Sequence, residues 1–300
     1  MVVDCGDLPS GVAVDLGGTK IAATRVLEGK ISHVVRAKTD SEAGAKQQVD
    51  AIIALLDKLN LQSHEAVGVA LAGRVSADGV WHAVNTDTLK DVNEVPIGAL
   101  LSERLQRNVI VENDAIAAAY GEYIAGAGKG IRAFGFITVS TGVGGGIVLN
   151  RQPLRSRRGM AGHVGFTTSR LATEICGSGR AQTVESIAGG RAIAALAERK
   201  GYLGLDAKAV YKRHLVGESW ATGLIEQSAC VVAELCANLV AVLDLERIAL
   251  GGSIGLAEGY LEMVNAELKK EPELFQPNVV RTALGADSAH IGILALSSYI

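Results

Sequence analysis

The sequence DLGGTK at residues 15–20 lies between two apolar runs that alternate as strands do, at residues 11–14 and 21–24. Two such runs joined by a glycine pair predict a β-hairpin whose turn contains Gly17 and Gly18. Because glycine has no side chain, its backbone N–H group can approach an anion closely. The stretch therefore predicts a hairpin whose turn is a candidate phosphate-binding loop.

Three side chains beside these glycines have the chemistry that a phosphate site needs. Thr19 adds a hydroxyl donor, Lys20 adds a cation, and Asp15 at the end of the first strand is placed to hold a hydrated Mg²⁺ ion. The alternative is that the glycine pair serves the turn alone, because many hairpins carry Gly-Gly for conformational reasons. For this hairpin taken by itself, both interpretations are open.

A second glycine-rich loop, STGVGGG at residues 140–146, follows an apolar run at 134–139 and precedes another at 147–149. It is neither a Walker A sequence, which needs Gly-Lys-Ser/Thr at the start of a helix, nor a dinucleotide fingerprint. Two hairpin loops of this kind, one in each half of the chain, favour a nucleoside triphosphate held between two lobes. The candidate ATP contacts of the second loop are Thr141, Gly142, Val143 and Gly144.

Between the two loops, a short apolar strand at residues 109–112 runs into Asn113 and Asp114, and a helical run follows at 115–126. A carboxylate at a strand end that faces a cleft is where a general base belongs. Asp114 is also in the position of a helix cap. The two roles are compatible, so the cap interpretation does not exclude catalysis.

The composition is typical of a globular protein with a sizeable core. The chain has 300 residues, 29 of them basic and 32 acidic, so we expect two modest domains and no affinity for nucleic acid or membranes. No uninterrupted apolar stretch approaches the roughly 20 residues that span a bilayer, and residues 1–10 lack the features of a signal peptide. The cysteines have no disulfide-framework spacing, so we expect free thiols in a reducing cytoplasm. They are Cys5, Cys176, Cys230 and Cys236.

Strands alternate with helices along the chain, which predicts an α/β protein. Three strands come first, and a second cycle of strands and helices begins at Phe134. Helices are expected at residues 42–60, 97–107, 115–126, 186–200, 219–243, 258–270 and 289–296. Further strands are expected at residues 66–71, 109–112 and 247–250.

Four motifs in this order resemble the ROK family of sugar kinases and repressors. They are DLGGTK at 15–20, NDA at 113–115, STGVGGG at 140–146 and LGGS at 250–253. The resemblance implies a two-lobed, actin-like (ribonuclease H-like) ATPase fold of α/β class with the active site in the interdomain cleft. It implies a small N-terminal lobe of residues 1–113 plus 283–300 and a large C-terminal lobe of residues 114–282. It also adds Gly252 to the expected ATP contacts.

The same resemblance implies a sugar site. In the family an Asn-Asp pair binds sugar hydroxyls and its Asp takes the proton of the attacking hydroxyl, which corresponds here to Asn113 and Asp114. Further expected sugar contacts are Gly73, Asn85, His163 and Glu185. His163 stands where most members have glutamate, and Thr88 where many have asparagine. The alternative for each residue is a purely structural role. His163 would be a hydrogen-bonded histidine of the loop, and Glu185 an acid favoured by the dipole at a helix N-terminus.

One departure from the family concerns metal binding. Members commonly hold a structural zinc ion through one His and three Cys, and the corresponding residues here are Phe166, Cys176, Ser178 and Thr183. Structural zinc needs four nitrogen or sulfur donors. We therefore expect no zinc, with Phe166 filling the space as an apolar side chain. The expected cofactors are ATP and Mg²⁺, the ion being held through ATP and Asp15.

The implied function is ATP-dependent phosphorylation of N-acetylmannosamine at its 6-hydroxyl in sialic acid breakdown, by a cytoplasmic homodimer whose partners are the sugar and ATP. A glucokinase or N-acetylglucosamine kinase of the same family is the alternative. A repressor would need an N-terminal helix-turn-helix, for which ten residues before the first strand are too few. A non-catalytic sugar-binding regulator is a remote alternative, disfavoured because Asp15, Thr19, Asn113 and Asp114 are intact.

Overall fold

The computed structural model describes residues 8–85, 89 and 91–299, the side chains of 298 and 299 excepted. Cys5 and Thr88, both named above, lie outside the described residues. The described residues form two five-stranded sheets and a two-stranded ribbon, together with helices. The structure therefore confirms the α/β class predicted from the alternation of strands and helices.

The elements within the described residues are numbered in chain order. The strands are β1 (Gly11–Leu16), β2 (Lys20–Leu27), β3 (Lys30–Lys38), β4 (Val67–Leu71), β5 (Arg74–Val75), β6 (Trp81–His82), β7 (Val109–Asn113), β8 (Ala133–Val139), β9 (Val143–Leu149), β10 (Gln152–Pro153), β11 (Arg247–Gly251) and β12 (Asn278–Arg281). The α-helices are α1 (Ala45–Lys58), α2 (Ile97–Leu105), α3 (Asp114–Ala125), α4 (Glu185–Ala188), α5 (Gly190–Arg199), α6 (Ala207–Leu215), α7 (Ser219–Leu243), α8 (Tyr260–Leu268) and α9 (Ser288–Ala295).

The first sheet has the strand order β3-β2-β1-β4-β7. Strands β1 and β2 form the hairpin predicted around residues 15–20, with Leu16 opposite Ile21. Strands β4 and β7 add to β1 in parallel, so that Leu16 pairs with Leu71 and Leu71 pairs with Asn113. Because the carboxyl ends of parallel strands meet at one edge of a sheet, the ends of β1 and β7 lie at the same edge, one on each side of β4.

The two faces of this sheet are covered by different helices. One face forms a buried core with α1 and α2 that includes Leu16, Ile52 and Leu101. The other face lies against α9, and the approach is close because a Cβ on Gly68 of β4 would stand 2.9 Å from the Ile293 side chain of α9. Since side chains alternate along a strand, Asp15 points away from the face to which its neighbour Leu16 contributes, toward α9.

Helices α3 and α9 pack together at glycines. A Cβ on Gly121 of α3 would collide with the backbone of Ser288, and a Cβ on Gly292 of α9 would collide with the backbone of Ala117. Only glycine permits the two helix backbones to approach this closely. This contact ties the last helix of the chain to the helix that begins at Asp114.

The second sheet has the strand order β10-β9-β8-β11-β12, in which β11 is parallel to both β8 and β12. Helix α7 packs against α4, α6 and α8. Its bounds match the predicted helix at 219–243. By length and composition α7 is the one described helix that could cross a membrane, although more than half of its apolar window is buried inside the protein. Glu226 and Glu234 interrupt that window, which is why no uninterrupted apolar stretch was found in the sequence.

Contacts between residues divide the chain into two compact units. The first contains the described residues up to Lys129, Gly146–Gly162 and those from Ala286 onward, and the second contains Gly130–Gly145 and His163–Gly285. The predicted lobe boundary at Asp114 divides the chain differently. Helix α3, which begins at Asp114, belongs to the first unit because it packs along α9.

Two elements of the second unit differ from prediction. The single helix expected at 186–200 is two helices, α4 and α5, separated by the extended backbone of Gly189 at φ −68° and ψ 150°. Helix α6 was not predicted, because only Val210 and Tyr211 of its residues are buried and the apolar pattern is correspondingly weak.

Candidate active site

Two carboxylates lie at one edge of the first sheet. Asp15 is the penultimate residue of β1, and Asp114 follows the last residue of β7. They are close enough for the charge of Asp15 to act on Asp114. The parallel register of β1, β4 and β7 accounts for this, because it carries two residues 99 positions apart to the same sheet edge.

The side chain of Asn113 makes three hydrogen bonds, one of them to Asp114. Its side-chain amide donates to the carbonyl oxygen of Gly73 at 2.7 Å and to Asp114 Oδ1 at 2.9 Å, and its Oδ1 accepts from Ile116 N at 3.0 Å. The helix cap is therefore Asn113 and not Asp114. Asp114 Oδ1 also accepts from Ala115 N at 2.8 Å. One oxygen of Asp114 is thus used for positioning, which leaves Oδ2 for chemistry.

The electrostatics of this pair suit proton transfer. Burial, followed by the charge of Asp15, raises the pKa of Asp114 to about 7. Burial also raises the pKa of Asp15, against the opposing charges of His290 and Lys20. A general base is most effective when its pKa lies near the operating pH. Asp114 meets that condition.

An ion pair behind Asn113, between the buried Glu112 and the more exposed Arg155, was not anticipated from the sequence. Glu112 Oε1 accepts from Asn113 N at 2.9 Å, and Glu112 Oε2 lies 2.7 Å from Arg155 Nε. Burial raises the pKa of Glu112, and the charge of Arg155 partly opposes this. The pair fixes the backbone of the Asn-Asp motif. The only sequence signal was a glutamate inside an otherwise apolar strand.

The first glycine loop forms as predicted. Gly17 N donates to the Lys20 carbonyl at 3.0 Å, and the Gly17 carbonyl accepts from Thr39 Oγ1 at 2.7 Å. Neither Gly17 nor Gly18 has a positive φ, so a left-handed conformation does not explain the glycine pair. Thr19 and Lys20 are exposed and available to a ligand.

The second glycine loop is fastened to the segment that contains α4 and α5. Val143 N donates to Glu185 Oε2 at 3.0 Å, Gly190 N donates to the Ser140 carbonyl at 2.7 Å, and Arg191 N donates to the Thr141 carbonyl at 3.1 Å. Burial raises the pKa of Glu185, while the Val143 N–H and the charge of Arg191 act in the opposite direction.

A cavity of about 600 Å³ opens beside this loop within the second unit. Its walls include Thr141 of the loop and Ser253, which follows Gly252 and lies 3.1 Å from Ser140 between hydroxyl oxygens. Gly252 has φ +86°, and a Cβ there would collide with the backbone of Val139. The cavity also has three cationic side chains that sequence reasoning missed, because two of them belong to the unpredicted helix α6. They are Arg191, Lys208 and Lys212.

His163 lies in the second unit immediately before a short 3₁₀ turn, Val164–Phe166. Its ring stacks on Phe166, with 5.9 Å between ring centres and 17° between planes. Gly165 lies so close to Val143 that a Cβ would meet the Val143 carbonyl oxygen. The His163 segment and Glu185 therefore reach the same residue of the glycine loop, Val143.

The positions that correspond to zinc ligands in the family have other partners here. Phe166 is half-buried and stacks on His163, Cys176 Sγ lies 2.9 Å from Ser178 Oγ, and the buried Thr183 accepts from Ser186 N at 3.2 Å. Within the described residues there is no group of three or more His, Cys, Asp or Glu that could hold a metal ion. The absence of zinc nonetheless stays a prediction for metal analysis.

Contacts within the chain order the same loop. Thr168 and Thr183 form an antiparallel bridge, and so do Ile175 and Ala181. The loop is also joined to neighbouring helices by polar pairs: Ser169 with Glu234, Arg170 with Glu234, and Glu174 with Arg199.

Asn85 is half-buried at the border of the undescribed residues 86–88, so its sugar contact stays a prediction.

Known proteins share both the sequence and the fold of this chain. The ROK family model matches residues 11–299. The chain is 39% identical over 281 residues to the N-acetylmannosamine kinase of Haemophilus influenzae strain KW20 Rd, and the match covers 94% of this chain and 93% of the relative.

Two solved structures resemble it over almost the whole length. The ROK hexokinase from Thermus thermophilus has a TM-score of 0.82 and 30% identity, covering 97% of this chain and 99% of that one. A ROK family glucokinase from Streptomyces griseus, solved with glucose and AMPPNP, has a TM-score of 0.80 and 28% identity, covering 96% and 98%. These neighbours confirm the actin-like ATPase fold, and the family match over nearly the full chain shows that the protein belongs to the ROK family.

Proposed function

We propose that this protein is an ATP-dependent sugar kinase that transfers the γ-phosphoryl group to the 6-hydroxyl of N-acetylmannosamine. The observation that carries the proposal is Asp114, a carboxylate held by Asn113 at a strand end with a pKa of about 7. Phosphoryl transfer needs little covalent work from the protein, only positioning, charge stabilisation and a group that accepts the hydroxyl proton. Asp114 supplies the last of these.

In this step the two oxygens of Asp114 have different roles. Oδ1 keeps its hydrogen bonds to Asn113 and Ala115, and Oδ2 accepts the proton of the sugar hydroxyl. The freed oxygen forms a bond to the γ-phosphorus, the bond to the bridging oxygen breaks, and ADP leaves. Asn113 orients the base and, as in the family, binds a sugar hydroxyl.

The nucleotide is assigned to the second unit. Its cavity of about 600 Å³ is within the size range of ligand sites, and its lysines and arginine suit a polyphosphate. Asp15 is the residue proposed to hold Mg²⁺, since a carboxylate oxygen is the ligand type that this ion prefers. The bound ion supplies charge neutralisation on the triphosphate.

The choice of sugar rests on relatives. The N-acetylmannosamine kinase of Haemophilus influenzae is 39% identical to this chain, whereas the glucokinase of Streptomyces griseus is 28% identical. Of the residues proposed to contact sugar, His163 is the one at which this chain departs from the usual family glutamate. Glucose phosphorylation is the second candidate, favoured by the glucose-bound glucokinase of the same fold.

The test is a coupled ADP-release assay with N-acetylmannosamine, N-acetylglucosamine and glucose at equal concentrations, together with a sugar-free control. We expect the highest kcat/KM for N-acetylmannosamine. A higher kcat/KM for glucose would make glucose the substrate, and the assignment as a sugar kinase would stand. No ADP release above the control with any sugar would overturn the assignment as a kinase. Phosphorus NMR of the product distinguishes a 6-phosphate from a 1-phosphate.

A further inference from the structure

The carboxylate of Glu185 lies on the backbone of the second glycine loop. Its Oε2 accepts the hydrogen of Val143 N at 3.0 Å. A Cβ on Gly142, the preceding residue, would collide with the same oxygen and could be accommodated only if the Glu185 carboxylate moved away. Gly142 does not have a positive φ. The close carboxylate, rather than the turn, is therefore what a larger residue at position 142 would disturb.

The contact matters because a backbone N–H group of this loop is a donor that a nucleotide phosphate would need. The backbone amide of Val143 has a single hydrogen, so it cannot make a full hydrogen bond to the carboxylate and to a phosphate oxygen at the same time. An ionised carboxylate beside a triphosphate is also repulsive. While Glu185 accepts from Val143 N, that donor is engaged and the carboxylate charge opposes a phosphate. This arrangement therefore disfavours nucleotide binding.

The rest of the loop is already held in shape by backbone bonds that do not use Glu185. Ser140 N donates to the Gly142 carbonyl, and the Ser140 and Thr141 carbonyls accept from Gly190 and Arg191. Removal of the Glu185 carboxylate therefore leaves the loop backbone supported. The carboxylate is positioned to compete for one donor rather than to hold the loop together.

We propose that Glu185 is a positioning residue that couples sugar binding to nucleotide binding: without sugar it occupies the Val143 N–H, and with sugar it turns to the sugar hydroxyls and releases that donor to phosphate. This inference rests on the proposed function, in which Glu185 contacts the sugar. A carboxylate only accepts hydrogen bonds, and sugar hydroxyls are donors that can replace the backbone amide.

Two consequences follow. Sugar increases the affinity for nucleotide, and by thermodynamic reciprocity nucleotide increases the affinity for sugar by the same factor. Hydrolysis of ATP in the absence of sugar is also suppressed, because the phosphate loop has its full set of donors only after the sugar has bound.

The experiment is a calorimetric titration of the full chain with Mg·AMPPNP, with and without saturating N-acetylmannosamine. For the unmodified protein we expect the sugar to tighten AMPPNP binding roughly tenfold, within the usual range of about 5 to 150 for coupled sites. In Glu185→Ala, sugar-free AMPPNP binding should tighten toward the sugar-bound value, and the coupling factor should fall to about one.

Gly142→Ala is an independent second variant that retains the carboxylate. Its new methyl group pushes Glu185 off Val143, so sugar-free AMPPNP binding should tighten here as well. Glu198→Ala, at an exposed glutamate of α5, is the matched control and should keep the coupling of the unmodified protein. If Glu185 merely stabilised the loop, both loop variants would bind AMPPNP more weakly and melt at a lower temperature.

Kinase turnover measured in parallel separates this inference from the proposed function. If the unmodified protein phosphorylates a sugar but its AMPPNP affinity is the same with and without that sugar, the coupling is wrong and the kinase stands. The coupling is likewise overturned if sugar-free affinity is unchanged or lower in both Glu185→Ala and Gly142→Ala. Absence of turnover with every sugar contradicts the proposed function.

Discussion

Replacement of Asp114 by asparagine removes the proposed base and leaves its supporting hydrogen bonds in place. The amide oxygen can take the position of Oδ1, which accepts from Asn113 Nδ2 at 2.9 Å and from Ala115 N at 2.8 Å. The amide nitrogen then occupies the position of Oδ2, where it cannot accept a proton. The fold, the melting temperature and sugar affinity should therefore be retained, while turnover falls.

Two magnitudes are expected, one for the loss of kcat in Asp114→Asn and one for the pH dependence of kcat/KM in the unmodified protein. Loss of a general base should lower kcat by about 10² to 10⁴-fold. In the unmodified protein the pKa of about 7 means that Asp114 is ionised to about one-tenth at pH 6 and about nine-tenths at pH 8. Because the ionised form is the base, kcat/KM should rise nearly tenfold between these pH values. The residual activity of Asp114→Asn should lack this rise.

The assay is coupled ADP release across pH 5.5 to 9, with saturating Mg·ATP and with N-acetylmannosamine varied. Asp57→Asn, a change of the same chemistry at an exposed aspartate near the end of α1, is the matched control and should behave as the unmodified protein. Near-normal kcat in Asp114→Asn would refute the assignment of the base. A flat pH profile in the unmodified protein would refute the electrostatic reasoning about the Asp15–Asp114 pair.

Two further predictions concern stability and metal content. Arg155→Ala leaves the Glu112 side chain, only 8% exposed, without its cationic partner, and should lower the free energy of unfolding in urea by about 1–3 kcal/mol, the partly exposed guanidinium reducing the full cost of a broken buried pair. Adding Glu112→Gln should recover part of that loss, and an unchanged urea midpoint in Arg155→Ala would show that the pair does not stabilise the protein. Metal analysis should find zinc well below one atom per chain, with a chelator leaving the melting temperature unchanged, because Cys176 is the one thiolate at the family's ligand positions. Stoichiometric zinc that survives dialysis would contradict this prediction.

Local pattern determined the elements that carry long apolar runs. The hairpin around residues 15–20 was predictable from alternation and glycine, and the bounds of α7 from a long apolar run. Pattern failed where burial is slight, as in α6, and where a tertiary contact overrides periodicity. At Gly189, which divides a predicted helix, a Cβ would stand 3.0 Å from the Glu185 carbonyl oxygen and 3.1 Å from Gly142 Cα. The local sequence does not show the approach of Gly142.

The sequence by itself determined which chemical groups this protein has, since glycine loops, carboxylates and hydroxyls can be read directly from residue type and spacing. The tertiary structure alone decided what those groups can do. The pKa of Asp114 lies near 7 because burial disfavours its charge and because the parallel register places Asp15 beside it. Glu185 reaches Val143 across 42 residues, and Arg155 reaches Glu112 across 43. Such pairings depend on how strands and helices pack, and a pKa depends on everything packed around the group, so neither can be obtained from a local stretch of sequence.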